Sequence, residues 1–342
     1  MENFWQTLPK PILALAPMAG VTDTAFRQMC KLGGADVLYT EFVSTDAIVY
    51  ESKKTFEMLK FSPDEQPVVC QVFGKQPEHY YKSAKVLADF GFAGIDINFG
   101  CPAYKVVKHG GGVTLMRRPE LVREIVQATC EGSPIPVSIK IRASICKEGC
   151  AVDDPEGQVT ALDLIKVLEG LPIATVMIHG RSYEKPFDGA LNVDAITQVK
   201  KAFPGIVLAN GGVHTPEDAK KLLEETGADG VGLARGTWGR PWLFQEIKDY
   251  LSTGTYTPKT WEHIVPVILQ HAKVAFLAKG KYGLIELRKH LAWYVKGFPG
   301  ASALRSQLVR STTYEEIETI LSNTTNTEIL KSPPQRDPAM AG

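Results

Sequence analysis

Between Pro11 and Gly236 the chain repeats one pattern: a short apolar, β-branched run ends in glycine, proline or polar residues, and a stretch with helical spacing follows. The apolar runs are Ile12–Met18, Val37–Ser44, Pro67–Gly74, Gly94–Cys101, Pro136–Arg142, Thr175–Arg181, Gly205–Gly212 and Gly230–Gly236. Helical periodicity fills most of the gaps, at Asp23–Leu32, Pro77–Phe90, Pro119–Cys130, Gln158–Glu169, Val193–Ala202 and Pro216–Thr226. Strands alternating with helices imply parallel pairing through right-handed crossovers. An unbroken apolar run such as Ile206–Ala209 fits a strand covered on both faces. Eight such units favour a closed (β/α)8 barrel, a TIM barrel, over an open doubly wound sheet. The first strand leads into Ala16-Pro17-Met18-Ala19-Gly20, not into the Gly-x-Gly-x-x-Gly of a dinucleotide-binding start.

The pattern changes after residue 250. Residues 251–258 are polar and turn-rich and read as a linker that closes a barrel domain of residues 1–250. Beyond it Trp261–Lys279, Leu284–Tyr294, Ala301–Val309 and Tyr314–Ser322 carry helical spacing with no strand candidate, so residues 259–322 read as a small all-helical domain. Residues 323–342 have the composition of a disordered tail.

Composition narrows the class. With 44% hydrophobic and 22% charged residues, the chain can bury a sizeable core and is not largely disordered. Its longest apolar run near the start, Pro11–Val21, holds two prolines and is too short to span a bilayer, and residues 1–10 lack a basic signal-peptide start. Six cysteines are too sparse for a disulfide scaffold, so the chain reads as cytoplasmic with reduced thiols. Cys146 and Cys150 lack the spacing of a metal site, and no metal is expected. Net charge is zero, yet Tyr256–Arg310 holds nine Lys/Arg against Glu262 and Glu286, a local +7. Such asymmetry fits either a polyanion-facing module or a solvated helical face.

In a barrel of this type chemistry sits at the C-terminal ends of the strands. Those ends read Pro17-Met18-Ala19, Glu41, Gln71, Asn98 with Cys101, Lys140 with Arg142, His179 with Arg181, Asn210-Gly211-Gly212 and Ala234-Arg235-Gly236. The last two are glycine-rich turns leading toward helices, where backbone N–H groups and Arg235 suit a phosphate. Lys140 is then placed to face the ring of a phosphate-bearing cofactor, or else to pair with Glu41 or Asp96. Cys101, on a loop that continues through Lys105, Lys108, His109 and Gly110–Gly112, has the position of an acid or a nucleophile. Cys30, Cys70 and Cys130 read as small core hydrophobes.

These residues resemble one family, the flavin-dependent tRNA-dihydrouridine synthases of bacterial type. The matching pieces are Ala16-Pro-Met-Ala-Gly-Val-Thr-Asp23, Gln71 in Val-Cys-Gln-Val-Phe-Gly, Asp96-Ile-Asn-Phe-Gly-Cys-Pro102, Ser138-Ile-Lys-Ile-Arg142, Ile178-His-Gly-Arg181, Ala209-Asn-Gly-Gly212, Ala234-Arg-Gly with Gly239-Arg-Pro-Trp242, and Arg288-Lys-His-Leu-Ala-Trp-Tyr294. The resemblance implies FMN in the barrel mouth, touched by Pro17, Met18, Ala19, Gln71 and Lys140, with its phosphate near Asn210, Gly211, Gly212, Ala234 and Arg235. It implies NADPH or NADH as reductant, hydride transfer from flavin N5 to C6 of a D-loop uridine, and a proton from Cys101 to C5. Asn98, His179 and Arg181 are then the candidates for orienting the base, together with Lys140. The implied partner is tRNA, bound by a monomer without a membrane, and its target base must be extruded to reach the pocket. The alternative is an FMN barrel acting on a free pyrimidine or another small unsaturated substrate.

Overall fold

The computed structural model describes residues 3–108, 110–151, 157–187, 189–298 and 300–324. Eight parallel strands run in order: β1 (Ile12–Leu15), β2 (Val37–Tyr39), β3 (Val68–Phe73), β4 (Gly94–Asn98), β5 (Val137–Arg142), β6 (Ile173–His179), β7 (Ile206–Asn210) and β8 (Gly230–Leu233). Each pairs with its sequence neighbour, and β8 returns to β1 through Ile12↔Gly230 to Leu15↔Leu233, so the sheet closes into a barrel. Helices follow the strands: α1 (Thr24–Leu32), α2 (Lys53–Leu59), α3 (Pro77–Asp89), α4 (Pro119–Gly132), α5 (Ala161–Val167), α6 (Val193–Ala202), α7 (Pro216–Thr226) and α8 (Leu243–Thr253). All residues of β1, β2, β4, β7 and β8 are buried, as strands covered by side chains inside and helices outside must be.

Three boundaries differ from the periodicity, each for a local reason. The run Val37–Ser44 splits, because Thr40 Oγ1 donates to the Glu41 carbonyl and accepts the Gln71 N–H, and pairing resumes only at Val43–Ser44. The helix expected from Gln158 starts at Ala161. Gln158–Thr160 instead pair antiparallel with Ser144–Cys146, and Thr160 caps α5 in a reciprocal box with Asp163. Helix α8 runs through Thr253 to a left-handed Gly254, so the first three residues of the expected linker are helical.

Helices α9 (Trp261–Lys279), α10 (Lys281–Tyr294), α11 (Ala301–Leu308) and α12 (Tyr314–Ser322) share an apolar cluster that also takes in Ala25 and Met29 of α1 and Trp242. Trp238 stacks on Trp293 at 4.4 Å, and Phe26 meets His290 at 4.7 Å, so the helical part sits on the barrel near α1. The expected tail beyond Thr324 and His109 lie outside the described residues.

This seam carries a pH signature. His271 Nδ1 meets the Tyr294 hydroxyl at 3.1 Å, whereas buried His290 Nδ1 has no partner among the described residues. Burial pushes His271 down to about 4 and His290 well below its ordinary value, so both are neutral in the fold. The unfolded chain takes up these protons below about pH 6.5, so stability is lost as pH falls from there toward about 4. Asp96, raised to about 6 by burial, works in the opposite sense. At about pH 5.5 His271 and the equally neutral His179 of the barrel mouth each cost about 1.4 kcal/mol, His290 adds to the loss, and Asp96 offsets somewhat under 1. Urea denaturation is expected to show a net loss of at least about 2 kcal/mol between pH 7.5 and 5.5. Equal stability at the two values would contradict neutral histidines at the seam.

Candidate active site

The strand ends gather polar side chains in a barrel mouth. Register sets Gln71 on β3 beside Asp96 on β4, and Asp96 beside Ser138 on β5, with Asn98 beside Lys140 one pleat higher. Asp96 is fully buried and accepts from Ser138 Oγ and Gln71 Nε2, each at 2.7 Å. Gln71 Oε1 accepts from Asn98 Nδ2 at 2.9 Å. Asn98 Oδ1 in turn accepts the backbone N–H groups of Gly100 (3.1 Å) and Cys101 (2.9 Å), which ends β4 in a tight turn.

That turn carries Cys101, half-buried at the rim. Gly112 (φ +61°) packs against it; a Cβ there would stand 2.8 Å from the Cys101 carbonyl oxygen. Burial pushes the thiol above its usual range, while the Ala103 N–H and the charges of Lys140 and Arg142 pull the other way. The group is therefore a protonated thiol at neutral pH, suited to an acid more than to a thiolate nucleophile. Beyond it Tyr104, Lys105 and Lys108 are exposed.

Lys140 Nζ donates to Asn210 Oδ1 at 3.2 Å, and forms neither of the direct pairs that its position allowed with Glu41 or Asp96. Glu41 instead accepts the Gly20 N–H, which fixes the loop after β1. Burial, then the charge of Arg142, push Lys140 down to about 8. Arg142 donates through Nε to the Gly100 carbonyl (2.8 Å) and through Nη1 to Ser182 O and His179 Nδ1, each at 3.1 Å. Burial and the charges of Lys140, Arg142, Arg181 and Arg235 drive His179 down to about 2. Neutral and accepting at Nδ1, its ring carries the proton on Nε2. Gly211 (φ +112°) lies against that nitrogen; a Cβ there would meet His179 Nε2 at 3.0 Å. The histidine donor thus sits beside the glycine turn. Arg181 Nε donates to Gly189 O at 2.6 Å, tying its stem to the loop after β6.

The ends of β7 and β8 form an anion cradle. Asn210 Nδ2 donates to Gly232 O at 2.7 Å, locking its amide with Oδ1 toward Lys140. Among the described residues the N–H groups of Gly211 and Gly212 have no protein acceptor, and the half-buried Arg235 guanidinium has no carboxylate, only the Phe187 ring at 5.6 Å. After Ala234 comes a single 3-10 turn, Arg235–Thr237, and α8 begins only at Leu243. An anion there would meet free backbone donors and Arg235, not a helix dipole as the sequence suggested. These unsatisfied donors fit a phosphate monoester. Pro17 and Met18 are half-buried and Ala19 exposed, across the mouth at the end of β1.

The sequence singled out the rim but gave no role to Ser138 or Arg142, and offered Asp96 only as an alternative partner of Lys140. Their signal was the spacing Asp96-x-Asn98, which puts both side chains on the inner face of β4.

A closed (β/α)8 barrel with a protonated thiol, a buried cation and free backbone donors at its mouth is a candidate enzyme site. The sequence profile described as "Dihydrouridine synthase (Dus)" matches residues 14–331, and the chain belongs to that family. It is 36% identical over 328 residues to a "Probable tRNA-dihydrouridine synthase" of Mycobacterium tuberculosis, spanning 92% of this chain and 82% of the relative. It is 35% identical over 306 residues to "tRNA-dihydrouridine synthase B" of Pseudomonas aeruginosa, spanning 89% of each. Among solved structures, histamine dehydrogenase from Rhizobium sp. 4-9 superposes with TM-score 0.53 at 12% identity, covering 92% of this chain and 63% of that one, a likeness of fold. Among the described residues no helix is long and apolar enough to cross a membrane.

Proposed function

We propose that the chain reduces uridine in tRNA to dihydrouridine, using FMN held in the barrel mouth and NADPH or NADH as reductant. The observation that carries this reading is the protonated Cys101 thiol on the same mouth as Lys140 and the phosphate cradle. Bound there, FMN supplies the hydride for C6 of the uracil. Asn210, Gly211, Gly212, Ala234 and Arg235 would hold its phosphate, with the Nε2 proton of His179 beside the same turn. Pro17, Met18, Ala19, Gln71 and Lys140 would border its ring, where Lys140 would supply a positive charge. Cys101 delivers a proton to C5 and is reprotonated from solvent. Asn98 and Arg181 would orient the base, whereas His179, expected from the sequence to do the same, has Nδ1 taken by Arg142 and its one donor beside Gly211, and would serve the cofactor side instead. The protein is expected to purify yellow and to release FMN on denaturation. A colourless protein that takes up no FMN would overturn the reading.

The helical residues 259–322 form the tRNA-binding part in this reading. Trp261 and Tyr294 are buried and Trp293 stacks on Trp238, which leaves Tyr282, 77% exposed, and Phe276, 49% exposed, as aromatics open to a base. Lys281 is exposed and Lys289 and Arg305 are half-buried, whereas Arg288 also donates to Ser311 O at 3.1 Å. Lys281→Gln, Lys289→Gln and Arg305→Gln are each expected to weaken tRNA binding and to flatten the log K against log salt slope by about 0.7–0.9. Flavin content should stay normal. Unchanged slopes in all three would place the RNA on the barrel rim alone.

A further inference from the structure

The buried carboxylate of Asp96 touches neither the rim nor solvent, yet it begins a directed chain of hydrogen bonds that ends at the Cys101 turn. A carboxylate only accepts, so Gln71 must meet it with Nε2. That turns Oε1 of Gln71 toward Asn98, which must answer with its own Nδ2. Asn98 is then left with Oδ1 facing the N–H groups of Gly100 and Cys101. Flipping either amide would set donor against donor or acceptor against acceptor at two contacts. Ser138 Oγ holds the other carboxylate oxygen, so Asp96 itself cannot turn.

We infer that Asp96 is a positioning residue for the Cys101 thiol, acting through the oriented side-chain amides of Gln71 and Asn98. This rests on the reading of Cys101 as proton donor. Stability alone does not account for a carboxylate at this depth. Burial raises its pKa to about 6, the mark of an unfavourable desolvation that an apolar side chain would avoid. An asparagine at 96 would fit the space and could still bond to Gln71 and Ser138, but it presents a donor or an acceptor to Gln71 with equal ease. The direction of the chain is then no longer imposed from its buried end.

The test is peptide-resolved alkylation by iodoacetamide of the flavin-loaded protein, wild type against Asp96→Asn. The relay predicts that Cys101 in the variant reacts up to about tenfold faster, the factor that losing one buried hydrogen bond implies. Cys130 and Cys150, half-buried elsewhere, should react at wild-type rates, and the fully buried Cys30 and Cys70 should stay protected. Loss of structure in general would expose all of them together. Asn98→Ala cuts the relay at its last link: it removes the donor to Gln71 and the acceptor for the turn without adding a charge, and should raise Cys101 reactivity in the same selective way. Wild-type alkylation of Cys101 in both variants, or in Asn98→Ala where Asp96→Asn does not fold, overturns the inference. A Cys101→Ala variant that still makes product would instead overturn the acid assignment and leave the alkylation result standing.

Discussion

Cys101→Ala is expected to retain flavin, and to reduce it with NADPH at the wild-type rate, while dihydrouridine formation falls by about 10²–10⁴-fold. The reason is the division of labour in the mouth. Hydride arrival at the cofactor involves no thiol, whereas saturation of C5 needs a proton from above the ring. The raised pKa of Cys101 keeps that proton in place at neutral pH. Cys30 and Cys70 are fully buried, far above their usual range through desolvation, and belong to the barrel core. Their alanine variants should turn over nearly normally, with any loss appearing in stability. Product formed by Cys101→Ala at the wild-type rate would assign the proton to another group.

Lys140→Met should cost about 10²–10³ in turnover, the range seen when one preorganised electrostatic donor is removed from a reacting centre. Methionine keeps much of the stem volume and removes the charge, so flavin binding through the phosphate cradle should survive. The pH dependence gives a sharper signature. With Lys140 pushed down to about 8, activity that depends on its charge falls as pH rises through its pKa. Lys140→Arg keeps a charge across that range and should lose the alkaline limb whatever its absolute rate. A limb that persists in Lys140→Arg would belong to a different group.

The barrel was legible because its strands are buried on both faces and its helices on one, so the two periods separate along the chain. Helix α9 matched at both ends, where Thr260 precedes Trp261 and Gly280 follows Lys279. The pairing of Ser144–Cys146 with Gln158–Thr160 was not legible, since a helical reading of Leu162, Leu164 and Ile165 extends back over Val159 without contradiction. Rim residues could be named because a strand end is a position in sequence. Their couplings could not, because they depend on register between strands. Gln71, Asp96 and Ser138 meet only once β3, β4 and β5 are aligned. Likewise the proton on His179 Nε2 follows from Arg142, which lies 37 residues away in the chain.

Dihydrouridine formation is the most direct test of the account. Purified flavin-loaded protein would be incubated with NADPH and either unmodified tRNA or free uridine, and the nucleosides analysed by mass spectrometry. The account predicts that uridine within the tRNA gains two hydrogens while free uridine remains essentially untouched. Reduction of free uridine at a comparable rate, or no reduction in tRNA by protein that is visibly reduced by NADPH, would contradict it.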